Sequence, residues 1–139
     1  ILNSHNDLKI YANEQKMMQV IMHIINNSVD ELSKRSSDFS KYIFINLTNK
    51  DNHIIISIKD NAGGISKKNI NKIFDPYFTT KHQSQGAGLD LYISQKVINE
   101  INGNIKVENQ TFEYNDKTYT GANFTISIPM KKTNLVYNI

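Results

Sequence analysis

A chain of 139 residues with 39% apolar and 21% charged residues has the composition of one ordinary globular domain, long enough to bury its own core. Its formal charge of +3 comes from 16 Lys plus Arg scattered against 13 Asp plus Glu, so there is no nucleic-acid patch, only a surface mildly favourable to anions. With no cysteine, disulfides and thiolate metal sites are excluded, and no apolar run is long enough to span a bilayer.

The chain opens abruptly in ILN, without a signal-peptide pattern, so an excised domain of a longer protein is expected. Residues 1–130 are read as that domain and 131–139 as a loose tail. Leu8, Ile10 and Ala12 alternate, which predicts a short strand. Asn13 is a helix cap with Glu14 in the first turn. The period then changes to 3.6: Met17, Val20, Ile21, Ile24, Ile25, Ser28, Val29 and Leu32 predict an amphipathic helix ending near residues 35–37. His23 and Asn27 stack on one flank of it. Residues 42–49 and 54–60 read as two strands joined by a hairpin-like KDNH link.

Period two puts Asp60 on the same face as Ile54, Ile56 and Ile58. A carboxylate there is costly unless something donates to it. Two roles stay open: a turn residue, or the acceptor of a proton from a ligand's exocyclic amine. Ser66 is read as the cap of a helix over 67–74, and Pro76 bars its continuation. At least two of Phe74, Tyr77 and Phe78 are expected to anchor the following loop to the core. Thr79, Thr80 and Lys81 lie just before GAGLDL at 86–91, which runs into a helix over 89–101 ended by Gly103. Glycines at such a turn let backbone approach a ligand, and the helix start offers N–H groups to an anion. Residues 104–109 and 122–129 read as an antiparallel pair closed by Pro129, with TFEYNDKTYTG between them as a small hairpin of its own.

QVIMHIINNSVDEL, DNAGGI, IFDPYFTTK, GAGLDLYISQKVI and GANFTISIP, in this order, resemble the ATP-binding catalytic domain of sensor histidine kinases. That family shares the Bergerat fold with gyrase, Hsp90 and MutL ATPases. The match covers about residues 8–130, and the short FDPYFTTK loop resembles the histidine kinases rather than those ATPases. The resemblance implies an α/β (α+β) two-layer sandwich, with a mixed, mostly antiparallel sheet and about three helices on one face. It implies ATP and Mg²⁺ as cofactors. Asn27 matches the Mg²⁺-ligating asparagine, with Asp30 beside it on the nucleotide side, and Asp60 matches the adenine-reading aspartate. Ala62 and Gly64 hold the glycine positions of the base-side block, followed by Ile65. Thr79, Thr80, Lys81, Gly86, Ala87, Gly88 and Leu89 fall on the phosphate side.

The implied chemistry is transfer of the ATP γ-phosphoryl group to a histidine on a separate helical dimerisation domain. His5, His53 and His82 do not resemble that acceptor, so it is expected outside this chain. The implied partners are that domain and a response regulator receiver domain. A homodimeric parent, a monomeric isolated domain, and a cytoplasmic site with a membrane-anchored parent are further expectations.

Two positions depart from the family. His23 stands where many members have asparagine and related ATPases have a water-activating glutamate. It joins Asn27 as a candidate for the chemistry, against the blander role of a polar pocket wall. Asp90 replaces the third glycine of G-x-G-L-G-L. Four outcomes stay open: pressing on the neighbouring segment, pushing the helix start outward, competing with phosphates, or pointing to solvent. A degenerate nucleotide-binding regulatory module is therefore the alternative to an active kinase. A gyrase-like hydrolase is disfavoured by His23 and the short lid.

Overall fold

A computed structural model describes residues 10–81 and 86–130. The tail at 131–139, His5, His82 and most of the strand expected around Leu8 lie outside them. Ile10 to Ala12 form no strand.

Helix α1 spans Glu14–Ser33, and the Asn13 side chain accepts Lys16 N at 2.9 Å, satisfying one of the free first-turn donors. It buries Met17, Val20, Ile24, Ser28 and Leu32. Val29, expected on that stripe, is 48% exposed, because it falls one residue beyond Ser28 on the outer side of the helix. Strands β1 (Ile43–Lys50) and β2 (His53–Asp60) form a hairpin. Asp51 and Asn52 take φ values of 49° and 62°, the two left-handed residues of a type I′ turn. Helix α2 spans Asp90–Glu100. It ends in a Schellman motif: Gly103 N donates to Ile98 O at 2.9 Å and Asn102 N to Asn99 O at 3.0 Å. The left-handed residue there is Asn102, at φ 57°, rather than the expected Gly103.

Strands β3 (Asn104–Tyr114) and β4 (Lys117–Pro129) form one long hairpin, turned at Asn115 and Asp116. The expected separate hairpin in TFEYNDKTYTG is the far end of this same ladder. Its aromatics stay outside the main core. Phe112 and Tyr114 meet Phe44 and Tyr42 at centroid distances of 4.9–5.6 Å, and Lys59 sits 4.0 Å over the Phe112 ring.

The sheet order is β1-β2-β4-β3, antiparallel at every described pairing. Both helices pack on one face, α1 over β2 and α2 over β3. Between the layers lie Val20, Ile24, Ile58, Ile98, Phe124 and Ile126, each no more than 2% exposed. Burying each such side chain contributes about 1.5–3 kcal/mol relative to exposure. The two-layer sandwich is as expected. Among the described residues there is no third helix: residues 67–74 form successive turns. Ile70 N reaches Ser66 O, but Lys72 N and Asp75 N bond only three residues back. Eight residues with Pro76 close behind are too short to sustain helix without a wide buried stripe, and Ile73 is the one member of that segment below 10% exposure.

Candidate functional site

A cleft of about 270 Å³ opens between α1, the 60–65 loop, the 78–81 segment and the start of α2. At its floor lies Asp60, 3% exposed, at the end of β2. Three donors hold its carboxylate. Ser28 Oγ donates to Oδ2 at 3.0 Å, and Ala62 N and Ala122 N donate to Oδ1 at 2.9 and 3.2 Å. The bond to Ala62, two residues on, is the local turn contact, so the two readings of Asp60 are not exclusive. A carboxylate has about four acceptor sites. Three are used here, which leaves capacity for one donor from the cleft.

The 60–65 loop is braced from several elements. Gly63 N donates to Thr120 O at 2.8 Å, and Arg35 Nε and Nη2 both donate to Ala62 O. Asn61 is 1% exposed and ties the loop to the entry of β1, accepting Tyr42 N and donating to Ser40 O, each at 2.8 Å. Asn109 of β3 grips Ile65 at both N and O. Gly64 has φ 81°, and a Cβ there would stand 2.6 Å from Asn109 Oδ1, so only glycine lets the loop lie this close to β3.

The opposite end of the cleft is built on the 74–81 segment and the second glycine turn. Phe74 meets Phe124 edge to face at 6.5 Å, and Phe74 and Phe78 pack against the core while Tyr77 is 75% exposed. Two of the three aromatics thus anchor the loop. Phe78 N closes a turn on Asp75 O, with Pro76 second and Tyr77, at φ 65°, third. Gly88 has φ 71°, and a Cβ there would sit 2.5 Å from Phe78 O. The glycine turn and the lid segment touch at that point. α2 follows from Leu89 with no side-chain cap, so its first N–H groups have no capping side chain.

Of the residues singled out from sequence, Asn27, Asp60, Gly64, Ile65, Thr79, Thr80, Lys81, Gly86 and Gly88 line the cleft. Asp30 does not line it but meets a residue that does: its Oδ2 accepts Lys81 Nζ at 2.5 Å. Ala62, Ala87, Leu89 and His23 do not line it. His23 sits behind the start of α2, with Nδ1 3.1 Å from Ser94 Oγ and Nε2 3.7 Å from Asp90 Oδ1. Asp90 does line the cleft and is 73% exposed in its side chain. Ser28, Ala122 and Asn109 were not foreseen. The signal for Ser28 was a hydroxyl within an otherwise aliphatic buried stripe. Nothing in linear spacing points to the other two.

Asn27 bears on the expected divalent cation. Its Oδ1 lies 3.5 Å from the Lys81 ammonium, which also meets the Asp30 carboxylate. An amide oxygen beside a carboxylate, already facing a positive charge, is a donor set that suits a hard cation.

A two-layer α+β domain with a cleft between two glycine turns, acidic at one end and bounded by a helix start at the other, is of the nucleotide-binding class. The chain belongs to the family described as histidine kinase-, DNA gyrase B- and HSP90-like ATPases, whose model matches residues 12–132. It is 36% identical over 121 residues to the signal transduction histidine-protein kinase AtoS of Escherichia coli (strain K12), covering 87% of this chain and 18% of that protein. It is 28% identical over 123 residues to sporulation kinase E of Bacillus subtilis (strain 168), covering 88% of this chain and 15% of that one. It therefore spans under a fifth of these relatives. The catalytic domain of histidine kinase ThkA, in a nucleotide-free form, superposes with a TM-score of 0.72 at 25% identity, over 94% of this chain and 78% of that one. Among the described residues no helix is long and apolar enough to cross a membrane, and no group of three or more His, Cys, Asp or Glu is placed to hold a metal.

Proposed function

We propose that this domain binds ATP with Mg²⁺ and is the catalytic part of a two-component sensor histidine kinase, passing the γ-phosphoryl group to a histidine on a helical dimerisation domain. The observation that carries the reading is Asp60: a buried carboxylate, fixed by three donors and opening into the same cleft as Asn27. Adenine offers an exocyclic amine donor for it, whereas guanine offers a carbonyl at the corresponding place and leaves the carboxylate facing an acceptor.

Asp60 and the braced 60–65 loop bind and orient the base. Gly86, Gly88 and the start of α2 receive the phosphates, with Thr79, Thr80 and Lys81 closing from the lid side. Asn27 Oδ1 and the Asp30 carboxylate would hold Mg²⁺ through oxygen, and the cation would supply positive charge against the phosphates. The protein's contribution to transfer is positioning and charge neutralisation, since the reaction asks for little covalent work from side chains. The acceptor domain and a response regulator are the partners of this reading, in a homodimeric parent that is cytoplasmic here and membrane-anchored elsewhere.

The test is base selectivity. ATP and GTP are titrated calorimetrically into the wild type and Asp60→Asn, each with Mg²⁺. Loss of the ATP preference in the variant is expected. An ATP-to-GTP ratio unchanged by the substitution removes the assignment. Asp90 in the cleft favours a second reading, a nucleotide-binding regulatory module without kinase activity. Phosphoryl transfer from labelled ATP to an added dimerisation domain excludes it.

A further inference from the structure

The side chains of the two departing positions meet each other. Asp90 is the first residue of α2 and lines the cleft together with Gly86 and Gly88 of the second glycine turn, while its Oδ1 lies on the side of α1. A negative charge in the first turn suits the helix dipole, yet it opposes an incoming anion at the same place. His23 approaches it from α1. Its Nε2 is 3.7 Å from Asp90 Oδ1, an ion pair whenever the ring is protonated. Its Nδ1 is 3.1 Å from Ser94 Oγ. Ser94 is fully buried and donates to Asp90 O at 2.8 Å. That bond uses the single hydroxyl proton, so the Ser94 oxygen is left as acceptor for an Nδ1–H. The ring is thereby fixed at one nitrogen while its other edge faces the carboxylate. The imidazole is 15% exposed and does not line the cleft, so it acts from behind Asp90.

We propose that His23 is a positioning residue that holds the Asp90 carboxylate toward α1, offsets its charge, and so keeps the phosphate end of the cleft open to a polyphosphate. The pair then acts on the number of phosphates bound and not on the base. The inference rests on the nucleotide-binding reading above.

The experiment is a double-mutant cycle. Adenosine, ADP and ATP, the nucleotides with Mg²⁺, are titrated into the wild type, His23→Asn, Asp90→Gly and the double variant. Buffer and pH are the same for all four proteins. His23→Asn is expected to weaken ATP about fivefold, ADP less, and adenosine not at all. In the Asp90→Gly background the same change has no effect on ATP. Additive effects, or an adenosine affinity that falls as far as that for ATP, overturn the proposal, since a merely structural histidine would move every ligand alike. Thermal melts of all four proteins confirm folding. A folded wild type that binds none of the three ligands overturns the nucleotide reading itself, a result distinct from retained binding with additive effects.

Discussion

Asn109 grips the backbone of Ile65 from both sides: its Oδ1 accepts Ile65 N at 2.8 Å, and its Nδ2 donates to Ile65 O at 2.7 Å. A side-chain amide here takes the place of a neighbouring strand, pairing with a loop that has no partner in the sheet. The loop wall of the cleft is thus set by a residue 44 positions further along the chain. Asn109→Ala removes both bonds and leaves the Ile65 groups to water. Each such bond is worth about 0.5–1.5 kcal/mol net. If the 60–65 loop is the base wall proposed above, adenosine, ADP and ATP should all lose about three- to tenfold in affinity, by the same factor. Calorimetry on the three ligands checks this. A loss confined to ATP contradicts the assignment of Ile65 to the base side.

Ser28→Ala removes a hydrogen bond from inside the core. Ser28 is 1% exposed and Asp60 3%, so Asp60 Oδ2 loses a fixed buried donor that only a water entering from the cleft can replace. A buried polar group deprived of its partner costs about 1–3 kcal/mol. Urea unfolding should show a lower midpoint with an unchanged slope. Unaltered stability would mean that Asp60 is satisfied without Ser28.

How much of this was legible in the chain differs from segment to segment. α1 was readable because Met17, Val20, Ile24 and Leu32 keep helical period over 20 residues with a capping Asn13 in front. β2 and the place of Asp60 followed from alternation alone. The distal half of the β3–β4 hairpin was readable as a hairpin but not as the continuation of the core strands. Its Phe112, Tyr114 and Tyr119 alternate with polar residues and pack on an outer aromatic cluster, so the aliphatic signature of a core strand is missing. The turns at 67–74 imitate a helix start through Ser66, but one buried isoleucine does not make a face. Asn27, Asp60 and the glycines of the cleft came from motif order. The Asn109–Ile65 and His23–Asp90 contacts did not, because they join segments far apart in the chain, and only the sheet order and the packing of α1 on α2 bring them together.

Gly88→Ala tests the junction between the glycine turn and the lid segment. Its φ is 71°, and the added Cβ meets the Phe78 carbonyl at 2.5 Å, a backbone atom that cannot rotate aside. Strain of this kind costs about 1–3 kcal/mol and is relieved by moving the two segments apart. With the turn on the phosphate side, as proposed, the expected outcome is weaker binding of ADP and ATP, with adenosine less affected. Equal affinity for ATP in variant and wild type would show that the turn shifts without consequence for the cleft.

Asp30 and Lys81 define the last prediction. Lys81 Nζ lies 2.5 Å from Asp30 Oδ2 and 3.5 Å from Asn27 Oδ1, so the lysine is engaged with α1 rather than free to meet a phosphate. Releasing it costs part of the ion pair. The Asp30 side chain is 48% exposed and that of Lys81 22%, so solvent screens the pair and its worth is about 0.2–1 kcal/mol. Two substitutions separate the roles. Lys81→Ala removes the proposed phosphate partner and should weaken ATP more than ADP, and leave adenosine unchanged. Asp30→Asn frees the lysine. It should strengthen ATP binding in the absence of divalent cation by up to about fivefold. With Mg²⁺ present the gain should shrink or reverse if, as proposed, the same carboxylate helps hold the cation. Calorimetry with EDTA and with Mg²⁺ reads both arms. An Asp30→Asn variant that gains equally under the two conditions would show that Asp30 serves only as a tether for the lysine and takes no part in binding the metal.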